Sequence, residues 1–117
     1  MSQGHAIQRH VRQSPRKMRL VIDLIRGKDV NEALAILKFN KRNAAKQIAK
    51  TLKSAVSNAE QKALAANERL DAVELVVARA LVNGGKPLKR IHAAAQGRAT
   101  PIKKRTSHVE IHVRSKE

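Results

Sequence analysis

The sequence has no cysteine, no tryptophan, no tyrosine and a single phenylalanine. Without thiols there is no disulfide framework, no zinc–thiolate site and no thiol nucleophile. An aromatic content of 1% excludes modules that read single strands by stacking successive bases on rings. No apolar run approaches the roughly 20 residues of a membrane span. The opening "MSQGHAIQRHVRQ" lacks the apolar stretch of a secretory signal. A soluble, cytoplasmic protein with no membrane partner is the expectation.

Acids are scarce too. Nine Asp and Glu face 25 Lys and Arg, for a formal net charge of +16 and a pI near 11.4. So much like charge opposes compaction, and a polyanionic partner relieves it. The 117 residues allow one domain with a modest core. The charge comes in blocks. Residues 1–28 hold seven bases and one acid, residues 38–67 seven and one, and residues 84–117 nine and two. From Leu75 to Val109 there is no acid at all.

The apolar pattern places elements between these blocks. Residues 6–13 read as a short strand or an ordered arm, with Ile7 and Val11 apart. Ser14-Pro15 suits a helix start, since Ser can cap and Pro loses nothing at the first position. Met18, Val21, Ile22 and Ile25 then follow at helical spacing, and Gly27 ends the helix. Asn31 is placed to cap a second helix with Ala33, Leu34 and Leu37 inward. Asn40 is placed to cap a third over about 41–66, with a stripe of Ala45, Ile48, Leu52, Ala55, Val56 and Ala59. Phe39 is expected in the core. Arg42, Lys46, Lys50 and Lys53 cluster on another face of the third helix, as a phosphate-facing ridge or simply a solvated one.

From Leu70 the pattern turns β: Val73, Leu75, Val76 and Val77 predict a strand. Val109, Ile111 and Val113 alternate with His108, Glu110, His112 and Arg114, a half-buried strand. Between them lies "GGKPLKRIHAAAQGRATPIKKRTSH". It is too long for a turn, and structureless loops of that length are uncommon in compact domains. A protruding two-stranded arm about 30 Å long accounts for it. An isolated hairpin is marginal in water, and the cations on this one ask for a negative partner.

Arg9, Arg12, Arg16, Lys17, Arg19, Lys86, Lys89, Arg90, Arg98, Lys103, Lys104 and Arg105 are the candidate phosphate contacts, with His108 as a hydrogen-bonding partner of backbone or RNA. Cations near a helix start run against the helix dipole, so Arg12, Arg16, Lys17 and Arg19 point to an external anion. Catalysis finds no footing. His108 and His112 are about 13 Å apart at strand rise, too far to share a metal, and no Gly-rich phosphate loop occurs. Neither an enzyme activity nor a cofactor is expected. A DNA-binding architectural protein is the competing reading, and a membrane-surface cationic protein a weaker third.

The segments "SPRKMRLVIDLIRGKDVNEALAIL", "SAVSNAE", "LKR", "GRA" and "KKRTSHVEIHV" together resemble the universal large-subunit ribosomal protein family numbered twenty-two in bacteria. The match runs from about Ala6 to Val113, in order and with matching spacing. The resemblance implies an α+β fold: three helices on a small three-stranded antiparallel sheet, with a long protruding β-hairpin. It implies a single domain, its globular part about 1–82 and 104–117 and its arm about 83–103. It also implies binding to large-subunit rRNA in several domains, a role in early subunit assembly, and neighbouring large-subunit proteins as partners. The globule would sit near the exit of the polypeptide tunnel. The arm would line the tunnel wall through Leu88, Lys89, Arg90, Ile91, His92 and Ala93, beside the nascent polypeptide. The hairpin departs from the usual pattern at Asn83-Gly84-Gly85-Lys86 and at Ala93-Ala94-Ala95, which makes its tip smaller and less basic.

Overall fold

The computed structural model describes residues 3–66 and 75–115. In chain order the elements are β1 (Gln3–Val11), α1 (Pro15–Ile22), α2 (Val30–Phe39), α3 (Asn43–Ala65), β2 (Leu75–Gly84), β3 (Leu88–Ala93), β4 (Ala99–Lys104) and β5 (Ser107–Ser115). A three-residue 3₁₀ turn, Ala95–Gly97, joins β3 to β4. Strands β1, β5 and β2 form an antiparallel sheet in that order, while β3 and β4 pair only with each other. The fold is thus α+β, three helices on a three-stranded sheet, with a separate two-stranded hairpin.

The sheet buries one face. On β5, Ser107, Val109, Ile111 and Val113 are buried and the residues between them are not, as a period of two requires. Opposite them stand Ala6 on β1 and Val77, Ala80 and Val82 on β2. Met18, Val21, Ile22, Ile48 and Leu52 close the core from the helices, all fully buried. Alanines Ala55, Ala59 and Ala63 line the sheet side of α3. They let β1 lie very close. A Cβ on Gly4 would come within 2.5 Å of the Ala55 carbonyl oxygen and 2.6 Å of the Ala59 nitrogen. Position 4 tolerates no side chain for that reason.

Several boundaries differ from the sequence-based expectation. Helix α1 stops at Ile22, and tighter bonds then carry the chain through Ile25, where Ile25 N–H donates to the Ile22 carbonyl at 3.2 Å. Ile25 is still fully buried. Gly27 follows with φ +78. The caps shift as well. Asp29, not Asn31, precedes α2, and Arg42, not Asn40, precedes α3. Asn40 instead accepts the Arg42 N–H through Oδ1 at 2.9 Å, a local turn that competes with helix start. Phe39 is not core: it is 80% exposed, with the Lys38 ammonium 5.9 Å from its ring centroid. It falls on the last residue of α2, where the apolar stripe has already turned away. The Leu70 start and Val73 of the expected strand lie outside the described residues.

The molecule is long. Its extents are 67 × 26 × 16 Å and its Cα radius of gyration is 17.5 Å, against about 13 Å for a compact chain of this length. The hairpin accounts for the excess.

Candidate nucleic-acid interface

Each arm strand has six residues, paired from Leu88↔Lys104 to Ala93↔Ala99. None of them is fully buried. The tip closes where the Ala94 N–H donates to the Arg98 carbonyl at 2.7 Å, with Gln96 and Gly97 both at positive φ. Lys86, Lys89, Arg90, Ile91, His92, Ala93 and Arg98 are all exposed, and Leu88 partly so. No acid lies between Gly84 and Val109, so nothing in the arm neutralises its cations.

The root of the arm is built by two small polar residues. The ladder breaks at Gly85–Pro87, where Pro supplies no N–H. Thr106 bridges the break twice. Its carbonyl accepts the Gly85 N–H at 2.9 Å, and its hydroxyl donates to the Lys86 carbonyl at 2.8 Å. Gly85 must be Gly here, because a Cβ would run into the Thr106 hydroxyl and the His108 ring. Ser107, fully buried, donates to the Gln13 carbonyl at 2.5 Å. This ties the arm root to the segment between β1 and α1.

Those ties create a cleft of about 690 Å³. Arg12 comes from the turn before α1, Lys17 from its first turn, Lys46 from α3, Lys103 and Lys104 from the arm's return strand β4, and Arg105 from the link to β5. Asn43, Gln47, Gln13 and Ser14 add neutral polar groups, and no carboxylate lines the cleft. Arg offers a planar fork and Lys a compact, mobile charge; both are acid-independent donors to phosphate oxygens. Six cations around one concavity repel one another and concentrate positive potential there. Two of the few described carboxylates are taken elsewhere: Asp23 by Arg26 at 2.7 Å and Glu110 by His112 at 2.8 Å.

Of the expected contacts, then, Arg12, Lys17, Lys103, Lys104 and Arg105 converge on the cleft. Lys86, Lys89, Arg90 and Arg98 are strung along the arm. Arg9 and Arg16 are exposed but do not line the cleft. Arg19 serves the fold: its Nε and Nη2 donate to the Val82 carbonyl at 3.2 and 3.0 Å. Arg26 grips the Ala80 carbonyl two residues earlier in the same way. Both cover the edge strand β2, whose bare carbonyls would otherwise invite another strand. His108 accepts the His10 N–H through Nδ1 at 3.1 Å, and His10 holds a left-handed φ of 59 to aim it. Of the ridge on α3, Lys46 reaches the cleft, while Lys50 lines a smaller groove beside Gln8 and Thr51. Gln13, Asn43 and Gln47 were missed at the sequence level. Uncharged and unpatterned, they give no signal until the chain is folded.

The family profile described as "Ribosomal protein L22p/L17e" matches residues 6–114. The chain belongs to this ribosomal protein family. Proteins named large ribosomal subunit protein uL22 are similar over nearly the whole length. That of Oceanobacillus iheyensis is 50% identical over 98% of this chain and 97% of its own. That of Clostridium tetani is 52% identical over 98% and 99%, and that of Lacticaseibacillus casei 55% identical over 92% and 87%. This chain is accordingly a structural, non-enzymatic protein of the large ribosomal subunit, at work in translation. No helix among the described residues is long and apolar enough to cross a membrane.

Proposed function

We propose that the chain binds large-subunit rRNA with the cleft at the arm root and the length of the arm, and supports early assembly of the subunit. The observation that carries this is the convergence of Arg12, Lys17, Lys46, Lys103, Lys104 and Arg105 on one acid-free concavity. It opens beside a hairpin that has cations but no core. In this reading the arm, about residues 83–103, is walled by rRNA and forms part of the tunnel lining. Leu88, Lys89, Arg90, Ile91, His92 and Ala93 then meet the nascent polypeptide, while the globule sits near the exit beside neighbouring large-subunit proteins. The small residues Ala93 to Ala95 and Gly97 at the tip allow backbone to approach RNA closely. Recognition is by phosphate, sugar and shape, since the chain has no tyrosine or tryptophan to stack on bases.

Changing Arg12, Lys17, Lys104 and Arg105 together to Gln tests it. The slope of log Kobs against log salt for large-subunit rRNA should fall by about 3, from about 0.7–0.9 per lost phosphate contact. Cosedimentation of the variant with large subunits should fall with it. An unchanged slope, or equal affinity for duplex DNA at matched salt, would refute the reading.

A further inference from the structure

The helices cover only one face of the three-stranded sheet, and the other face carries its own cations. One row crosses all three strands: His5 on β1, His112 on β5 and Arg79 on β2. The His5 and His112 rings stack, with centroids 5.3 Å apart and planes 18° from parallel. Arg114 lies two residues further along β5, and Lys62 approaches from α3. Together these five line a hollow of about 240 Å³. The side chains of Lys62, Arg79 and Arg114 have no hydrogen-bond or ion-pair partner among the described residues. Glu110 is the sole carboxylate on β1, β2 and β5, and His112 Nε2 holds it at 2.8 Å.

We infer that this end of the open sheet face is a second phosphate-binding surface for rRNA, separate from the cleft. The inference rests on the rRNA-binding reading above. Three permanent cations from three different elements face one hollow, with two imidazoles as further hydrogen-bonding groups. That arrangement suits the oxygens of a backbone phosphate. An acidic protein segment would meet the same charges; RNA is the occupant because it is the polyanion that the cleft and the arm already suit. The cleft lies at the Thr106 end of β5 and the hollow at the Arg114 end. Eight residues at strand rise separate them by about 26 Å, so no single phosphate serves both. The globule is then held between two RNA segments, with the arm as a third attachment.

The test uses the full chain and transcribed large-subunit rRNA. Lys62→Gln, Arg79→Gln and Arg114→Gln are combined and compared with the cleft variant. The salt slope should fall by about 2 to 3. Hydroxyl-radical footprints should lose a set of protected nucleotides that the cleft variant keeps. Restoring charge with Arg79→Lys and Arg114→Lys, with Lys62 intact, should recover the slope; failure to recover it marks a structural effect and overturns the inference. If the Gln variant keeps the wild-type slope and footprint while the cleft variant loses both, the second surface alone is refuted. If the wild-type chain does not prefer rRNA over duplex DNA, the earlier reading falls and this one with it.

Discussion

Strands β5 and β3 have the same antiparallel geometry and opposite circumstances. In β5 every second side chain from Ser107 to Val113 is buried beneath the helices. In β3 only Leu88 is even partly covered, and Ile91 is 77% exposed. Backbone pairing is therefore common to both and cannot be what makes one rigid by itself. The globule draws its stability from burial, which the arm lacks. The arm gets its definition from the root, where Thr106 and Ser107 fix it, and from whatever lies around it. One chain carries a part with its own buried core and a part without one, and the cationic cleft lies on the seam.

The largest effect that tests this contrast is in the core. Ile111 is fully buried at the centre of the middle strand. Ile111→Ala should cost about 2–5 kcal/mol, the transfer and cavity terms together, read by denaturant unfolding. Ile91→Ala, the same chemistry in the arm, should fall within about 0.5 kcal/mol of wild type. Similar losses at the two sites would abolish the distinction.

Gly4→Ala comes next. The added methyl meets the backbone of α3 at Ala55 and Ala59, which cannot yield as a side-chain tip can. A loss of about 1–3 kcal/mol is expected, as for overpacking. A neutral result in the same unfolding experiment would mean that β1 stands further from α3 than described.

Thr106→Val probes the seam itself. It removes the hydroxyl bond to Lys86 but keeps the shape, so the expected cost is about 1 kcal/mol. The loss should appear as faster amide exchange at Gly85 and Lys86, not across the core. Uniform acceleration over β5 would show that the root belongs to the globule's cooperative unit.

How far the sequence could foresee this differs between the two parts. The core was legible because burial imposes periodicity: Met18, Val21, Ile22, Ile48, Leu52, Val109, Ile111 and Val113 stand where the periods put them. Phe39 misled because composition favours an aromatic inside, while its place at the end of α2 decides otherwise. The caps misled because Asn31 and Asn40 are good capping types, yet Asn40 spends its side chain on a local turn. The charges were legible as a total and as blocks, not as a site. Nothing in the spacing told Arg12, which faces the cleft, from Arg19, which braces Val82. That distinction depends on which way a guanidinium turns after β2 has docked. Lys46 joins Lys104 only through tertiary packing across 58 positions of chain.

The smallest expected change comes from the largest deletion. Leu88 and Lys104 are register partners at the base of the hairpin, so residues 89–103 can be replaced by an Asn-Gly turn without moving either end. None of the removed residues is fully buried, and the removal takes out four cations: Lys89, Arg90, Arg98 and Lys103. Loss of like charge slightly favours the compact state, and loss of a hairpin with no fully buried side chain costs little. Unfolding free energy should thus stay within about 0.5 kcal/mol of the full chain, while large-subunit incorporation drops. A cooperative transition that broadens or shifts downward would mean that the arm contributes to the fold after all, and that the dependence between the two parts runs in both directions.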